Sequence, residues 1–178
     1  MNLNEIIRNR VSVKNYVNEK VDPKLLIELL DDAVYAPNHK MREPWRFILI
    51  DQDRKDALKQ AFINQVGVID AKDEDKFDTI FSAPMVIAFI MKLNKNYNDE
   101  IEDLQAVGTV IQNFMLLAYE KGLGTAWKTP AFIELDGFKE ALGIGTDELV
   151  VSLIRVGKTD KFPAPKKRVP AKEKVTMY

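Results

Sequence analysis

Residues 99–121 read DEIEDLQAVGTVIQNFMLLAYEK, with apolar side chains at Ile101, Leu104, Val107, Ile111, Phe114, Met115, Leu117 and Ala118. Spacings of three and four make this an α-helix whose apolar positions cover more than half of its circumference. A surface helix needs only one apolar stripe, so this one is expected to be buried on two sides, centrally in a domain or between subunits. Gly122 follows as the expected C-cap residue. Before the helix, Pro84 opens an apolar run from Met85 to Met91; after it, Thr125 to Trp127 reads as a short strand.

Outward from this helix the same two periods recur. A short helix is expected to start at Asn2, with Glu5 completing a capping box and Leu3, Ile6 and Ile7 buried. A second starts at Asp22 as N-cap with Pro23 at the first position, and Leu25, Leu26, Leu29, Leu30 and Ala33 form its apolar face. A non-periodic loop from Tyr35 to Pro44 leads into a strand, Arg46 to Asp51. Helices are expected through Leu58 and Phe62, through Phe77, Ile80 and Phe81, and from Gly137 to Leu142, where Gly143 stops the last. Glu148 to Val156 is the final strand, before a Pro- and Lys-rich tail. Strands and helices alternate without repeats or linkers, which predicts one mixed α/β domain (α+β class) over residues 1–178.

A chain of 178 residues buries roughly 70% of its unfolded surface, so it needs neither disulfide nor metal to fold. The absence of cysteine excludes a thiolate zinc site, an iron–sulfur cluster and a cysteine nucleophile. The first residues show no basic flank and no apolar core of a leader, and the longest apolar run, Ala83 to Met91, is half a membrane span; both point to the cytoplasm. A net charge of −1 argues against a general nucleic-acid partner. The charge is uneven. Asp70, Asp73, Glu74, Asp75 and Asp78 read as a solvated helix face, while Lys158, Lys161, Lys166, Lys167, Arg168, Lys172 and Lys174 make the tail basic. That tail suits a phosphate partner or plain solvation equally.

Hydrolytic and metal chemistry are hard to build from one histidine, His39, with no Gly-x-Ser-x-Gly turn and no His/carboxylate pairing. Nucleotide-loop motifs are missing too, and Gly143-Ile144-Gly145 follows a helix and reads as a turn. Catalysis therefore has to lean on a bound cofactor. Three segments could hold one. In Arg10-Val11-Ser12-Val13-Lys14 an extended backbone would point Arg10, Ser12 and Lys14 to one side, a cradle for a phosphate or an electron-rich ring; an exposed basic loop would look the same. Ala36-Pro37-Asn38-His39 leads to Pro44-Trp45-Arg46-Phe47, a loop length often functional, though Trp45 and Phe47 also suit a core and His39 a surface. Gly122-Leu123-Gly124-Thr125-Ala126-Trp127-Lys128-Thr129 allows close backbone approach beside an apolar face and donors; a helix cap and core strand would read alike.

In this order the three segments resemble the nitroreductase-like family of FMN flavoproteins over nearly the whole chain. Arg10-x-Ser12-x-Lys14 with Tyr16 is similar to the family's N-terminal flavin motif, and Ala36-Pro37-Asn38-His39…Pro44-Trp45-Arg46-Phe47 to its second loop. Gly122-Leu123-Gly124-Thr125-x-Trp127 resembles its glycine turn, and Lys166-Lys167-Arg168-Val169-Pro170 its terminal basic motif. The compact length and the Asn38-His39 loop resemble a small bacterial branch of that family. The resemblance implies a three-layer fold with a mainly antiparallel central sheet flanked by helices, in an intertwined homodimer with two interfacial FMN sites. It also implies that Arg10, Val11, Ser12 and Lys14 bind the flavin together with Trp127, Lys128 and Thr129 of the same chain. Pro37, Asn38 and His39 would come from the other chain, and Lys166 and Arg168 would join Arg10 at the phosphate. The long helix would be the dimer core.

Two departures stand out: Val11 replaces the second arginine of Arg-Arg-Ser, and Pro130 lacks the N–H that many members offer near flavin N5. The implied activity is hydride transfer from NADH or NADPH through FMN to nitroaromatic, quinone or related acceptors, with no side chain as acid or base. A flavin carrier or redox sensor would share the binding motifs, and a basic-tailed nucleic-acid module is a third reading.

Overall fold

The computed structural model describes residues 1–67 and 70–178. Ten main elements follow one another: α1 (Leu3–Asn9), α2 (Pro23–Ala33), β1 (Trp45–Asp51), α3 (Lys55–Val66), α4 (Ala71–Phe81), β2 (Met85–Lys92), α5 (Tyr97–Glu120), β3 (Leu123–Lys128), α6 (Asp136–Ala141) and β4 (Glu148–Lys158). The strands form one sheet in the order β1-β2-β4-β3 with every pairing antiparallel. Helices lie on both faces, which is the expected three-layer α+β arrangement.

β2 shows why the sheet needs two covers. Its side chains alternate between faces, as in any strand, and seven of its eight residues are buried. Met85, Ile87, Phe89 and Met91 enter a core with α2 and α5, through Leu26, Leu30, Val107, Ile111 and Phe114. Val86, Ala88 and Ile90 enter a second core with α3, α4 and α6. Five phenylalanines dominate that second core; Phe62 meets Phe138 edge-on at 5.6 Å and Phe77 lies 4.4 Å from Phe81. The register of β2 against β4 slips between Phe89 and Ile90, so Val151 of β4 has no opposite residue and the strand bends there.

Local signals held at the helix starts. Asn2 and Glu5 form the capping box, and Asp22 caps α2 ahead of Pro23. Gly122 and Gly143 take φ of +76° and +64°, the left-handed region that ends helices without a Cβ penalty.

Two expectations need correction, for α1 and the acidic stretch, and that for α5 is met on one side of the helix within this chain. Only Ile6 of α1 is buried; Leu3 and Ile7 are 63% and 49% exposed, because α1 sits at the rim of the first core. On α5, Val107, Ile111, Phe114, Met115 and Ala118 are buried, but Ile101 and Leu104 face outward within this chain. The acidic stretch is more than a solvated face: Asp70 caps α4, while Glu74 and Asp78 bind Lys59 at 2.9 and 3.0 Å and tie α4 to α3. Among the described residues no helix is long and apolar enough to cross a membrane.

Candidate functional site

After α1 the chain runs extended beside β3. Ser12 bridges Thr125 in parallel, and the Val13 amide donates to the Thr125 carbonyl at 3.0 Å. Val13 turns inward and is 2% exposed, so Ser12 and Lys14 on either side of it face outward. The close approach requires Gly124: a Cβ there would sit 2.8 Å from Val13 Cγ2. A buried layer supports this segment. Tyr16 donates its hydroxyl to the Val13 carbonyl at 3.3 Å, and the Arg155 guanidinium stacks on the Tyr16 ring, 4.7 Å from its centroid. Burial pushes the Tyr16 hydroxyl up to about 12, opposed by the Arg155 charge.

Outside this segment lies a cavity of about 580 Å³, walled by the Arg10–Lys14 stretch on one side and by the tail on the other. The size suits a cofactor-scale ligand. Arg10, Lys14, Lys161, Lys166 and Arg168 line it, and among the described residues none of the five is in an ion pair. Arg10 lies below its ordinary pKa range, first from burial and then from the like charge of Arg168. Among the described residues Arg168 has only main-chain acceptors, chiefly the Lys166 carbonyl at 2.9 Å. Two guanidiniums lining one cavity, with no ion-pair partner among the described residues, favour an anion there, and a phosphate suits their donors.

Arg10, Val11, Ser12, Lys14, Lys166 and Arg168 therefore converge from opposite ends of the chain. Trp127 lies at the far end of β3 and is 38% exposed. Lys128 and Thr129 continue from it along a smaller cavity of about 330 Å³ that Asp75, Lys76 and Thr79 of α4 also line. Pro37, Asn38 and His39 line neither cavity. Their loop is anchored near the start of α5 by Arg42, whereas β3 follows the end of α5. His39 is exposed, and the Asn38 carboxamide oxygen accepts from the Glu43 amide at 3.0 Å.

Sequence reasoning passed over two arginines. Arg155 is 3% exposed and, among the described residues, its side chain has only the Tyr16 ring and Ser82 Oγ, at 3.1 Å, as partners. A lone charge inside the apolar run Val150–Val156 was its available signal. Arg42 bonds to residues far along the chain, and no local pattern marks it.

The profile of the Nitroreductase family matches residues 7–158. A Bacillus subtilis (strain 168) protein described as "Putative NAD(P)H nitroreductase YfhC" is 31% identical over 183 residues, which is 98% of this chain and 93% of that one. The crystal structure of a nitroreductase-like family protein from Bacillus cereus superposes with a TM-score of 0.90 at 33% identity, over 100% of this chain and 96% of that one. A Desulfovibrio desulfuricans protein described as a "putative nitroreductase in complex with fmn" shares the fold with a TM-score of 0.78 at 23% identity, over 98% and 95% of the two chains.

Proposed function

Because this chain belongs to the nitroreductase family, we propose that it is an FMN-dependent NAD(P)H oxidoreductase acting as a cytoplasmic homodimer, each protomer one FMN-binding domain over residues 1–178. The observation that carries this reading is the set of cations, Arg10, Lys14, Lys166 and Arg168, without ion-pair partners among the described residues, around one cofactor-sized cavity beside β3. The YfhC description names NAD(P)H and the Desulfovibrio structure contains FMN, which accords with the same chemistry.

When bound, FMN supplies the two-electron relay between NADH or NADPH and a nitroaromatic, quinone or related acceptor. The protein's part is binding and electrostatics. Arg10, Lys166 and Arg168 hold the terminal phosphate through charge-assisted hydrogen bonds. Lys14, with Ser12 and the backbone at Val11, would hold the ring, where a fixed cation would stabilise negative charge. Trp127 would offer the ring apolar surface, and Lys128 and Thr129 would offer it donors. Pro130 offers no N–H to the ring, so hydrogen bonding there rests on the residues before it.

Pro37, Asn38 and His39 of a second copy complete the site in this reading. The exposed Leu3, Ile7, Ile101 and Leu104, together with the exposed apolar tail residues Val169, Val175 and Met177, support such a partner. Soluble chains rarely leave so much large apolar surface in water.

The test is an absorbance spectrum of the purified protein before and after each nicotinamide. Yellow protein whose colour bleaches with NADH or NADPH is expected; colourless protein that takes up no added FMN overturns the reading. Arg10→Ala should weaken FMN binding about tenfold to a hundredfold, the worth of a charged hydrogen bond set, measured by flavin fluorescence titration.

A further inference from the structure

The loop that carries Pro37, Asn38 and His39 has an unusual backbone. Lys40, Met41 and Glu43 take φ of +55°, +50° and +45°, and none of them is glycine. Non-glycine residues hold this region only where surrounding contacts over-determine it. Those contacts centre on Arg42, the one residue of the four with ordinary φ. Its Nε donates to Asp103 Oδ1 at 2.7 Å, and its Nη2 donates to Glu102 Oε2 at 2.9 Å and to the Asp99 carbonyl at 3.2 Å. Nη1 reaches Asp99 Oδ1 at 3.5 Å. Asp103 is itself 3% exposed and, among the described residues, has Arg42 as its only side-chain ion-pair partner. Asn38 closes the loop from within, accepting from the Glu43 amide and donating to the Ala36 carbonyl at 3.4 Å.

We propose that Arg42 is a positioning residue: by clamping this strained loop to the first turns of α5, it holds Pro37, Asn38 and His39 in the one geometry in which they can close over FMN. This rests on the FMN reading above and deepens it. A guanidinium fork is required because it engages three residues of the helix at once, which a single ammonium cannot do in fixed directions. The clamp also couples two properties. α5 carries the outward apolar residues assigned to the dimer, so Arg42 joins the ring-facing tip to the helix on which the second copy packs.

The experiment compares wild type, Arg42→Met, Arg42→Lys and Asp103→Asn as purified apo dimers. Each is titrated with FMN, and each is digested with trypsin, which cuts after Lys40 only when the loop opens. Expected are FMN binding weaker by about tenfold or more in Arg42→Met, partial recovery in Arg42→Lys, faster cleavage after Lys40, and an altered visible circular dichroism of the bound flavin. The last signal reports ring surroundings, which a merely structural residue would leave unchanged. If Arg42→Met does not fold, Asp103→Asn, nearly isosteric, carries the comparison. Binding within twofold of wild type, with no added cleavage after Lys40, overturns the proposal and leaves the FMN reading standing. Wild type that binds no FMN overturns both.

Discussion

Arg46 and Glu148 show what single side chains do at the rim of the sheet. Arg46 on β1 donates to both Glu148 oxygens, at 2.5 and 2.6 Å, and the Gly145 amide donates to the same carboxylate at 2.8 Å. The Arg46 hydrogen bonds are the chief reason that the Glu148 carboxyl falls from 4.5 to about 2. As pH drops through this window the unfolded chain takes up the proton first, so the stabilisation is complete above 4.5 and is lost towards 2. Arg46 is 42% exposed along its side chain, so solvent screening limits the pair to about 1 kcal/mol. Glu148→Gln should therefore be slightly less stable than wild type near neutrality and should lose less on acidification; urea midpoints at about pH 7 and about pH 3 compare the two. Nothing in the sequence pairs these residues. They meet because β1 and β4 both flank β2.

At the scale of elements, the Arg10–Lys14 segment and β3 act as one unit. The segment has a single bridge to the strand and one buried anchor, Val13, seated where a Cβ on Gly124 would be. Gly124→Ala should push the segment outward by displacing Val13, which moves Ser12 and Lys14 with it. The expected result is FMN affinity reduced by about tenfold or more, with a stability loss of about 1–3 kcal/mol from overpacking, read from flavin titration and thermal melting. The glycine turn was legible as a place where the backbone could come close, although a helix cap would read alike; Gly122 serves as that cap, and Gly124 alone makes the close approach. That Val13 was the approaching group was not legible, since an isolated bridge leaves no period in the sequence. β3 itself begins two residues earlier than its apolar pattern suggests, because pairing with β4 carries Leu123 and Gly124 into the sheet.

For the molecule as a whole, the unpartnered residues matter most. Ile101 and Leu104 lie on the outer side of α5, and Leu3 and Ile7 on α1 nearby are exposed as well. A two-sided apolar helix with one side uncovered within the chain accords with a dimer core. Leu104→Asp should yield a monomer by size-exclusion chromatography with light scattering, and the same protein should lose FMN although every cation lining the cavity beside β3 remains. A monomer that holds FMN as wild type does would separate the site from assembly and sink the shared-site reading.

The sequence by itself determined the six helices, the caps at Asn2 and Asp22, the stops at Gly122 and Gly143, the identities of the four strands and the ordered motifs, because each depends on residues a few positions apart. Caps need a side chain within one turn, and period two or 3.6 is written locally. Only the tertiary structure decided which distant groups come together: Arg10 and Arg168 on one cavity, Arg42 with Asp103, Glu74 and Asp78 with Lys59, and Arg155 over Tyr16. Those meetings follow from the strand order β1-β2-β4-β3 and from which helix covers which face. Such choices are set by the summed burial of two cores on a shared sheet, and no short window of sequence contains that sum. The helix from Asp99 to Lys121 joins both kinds of information: its two apolar sides were readable from spacing alone, and only packing told which side this chain buries for itself.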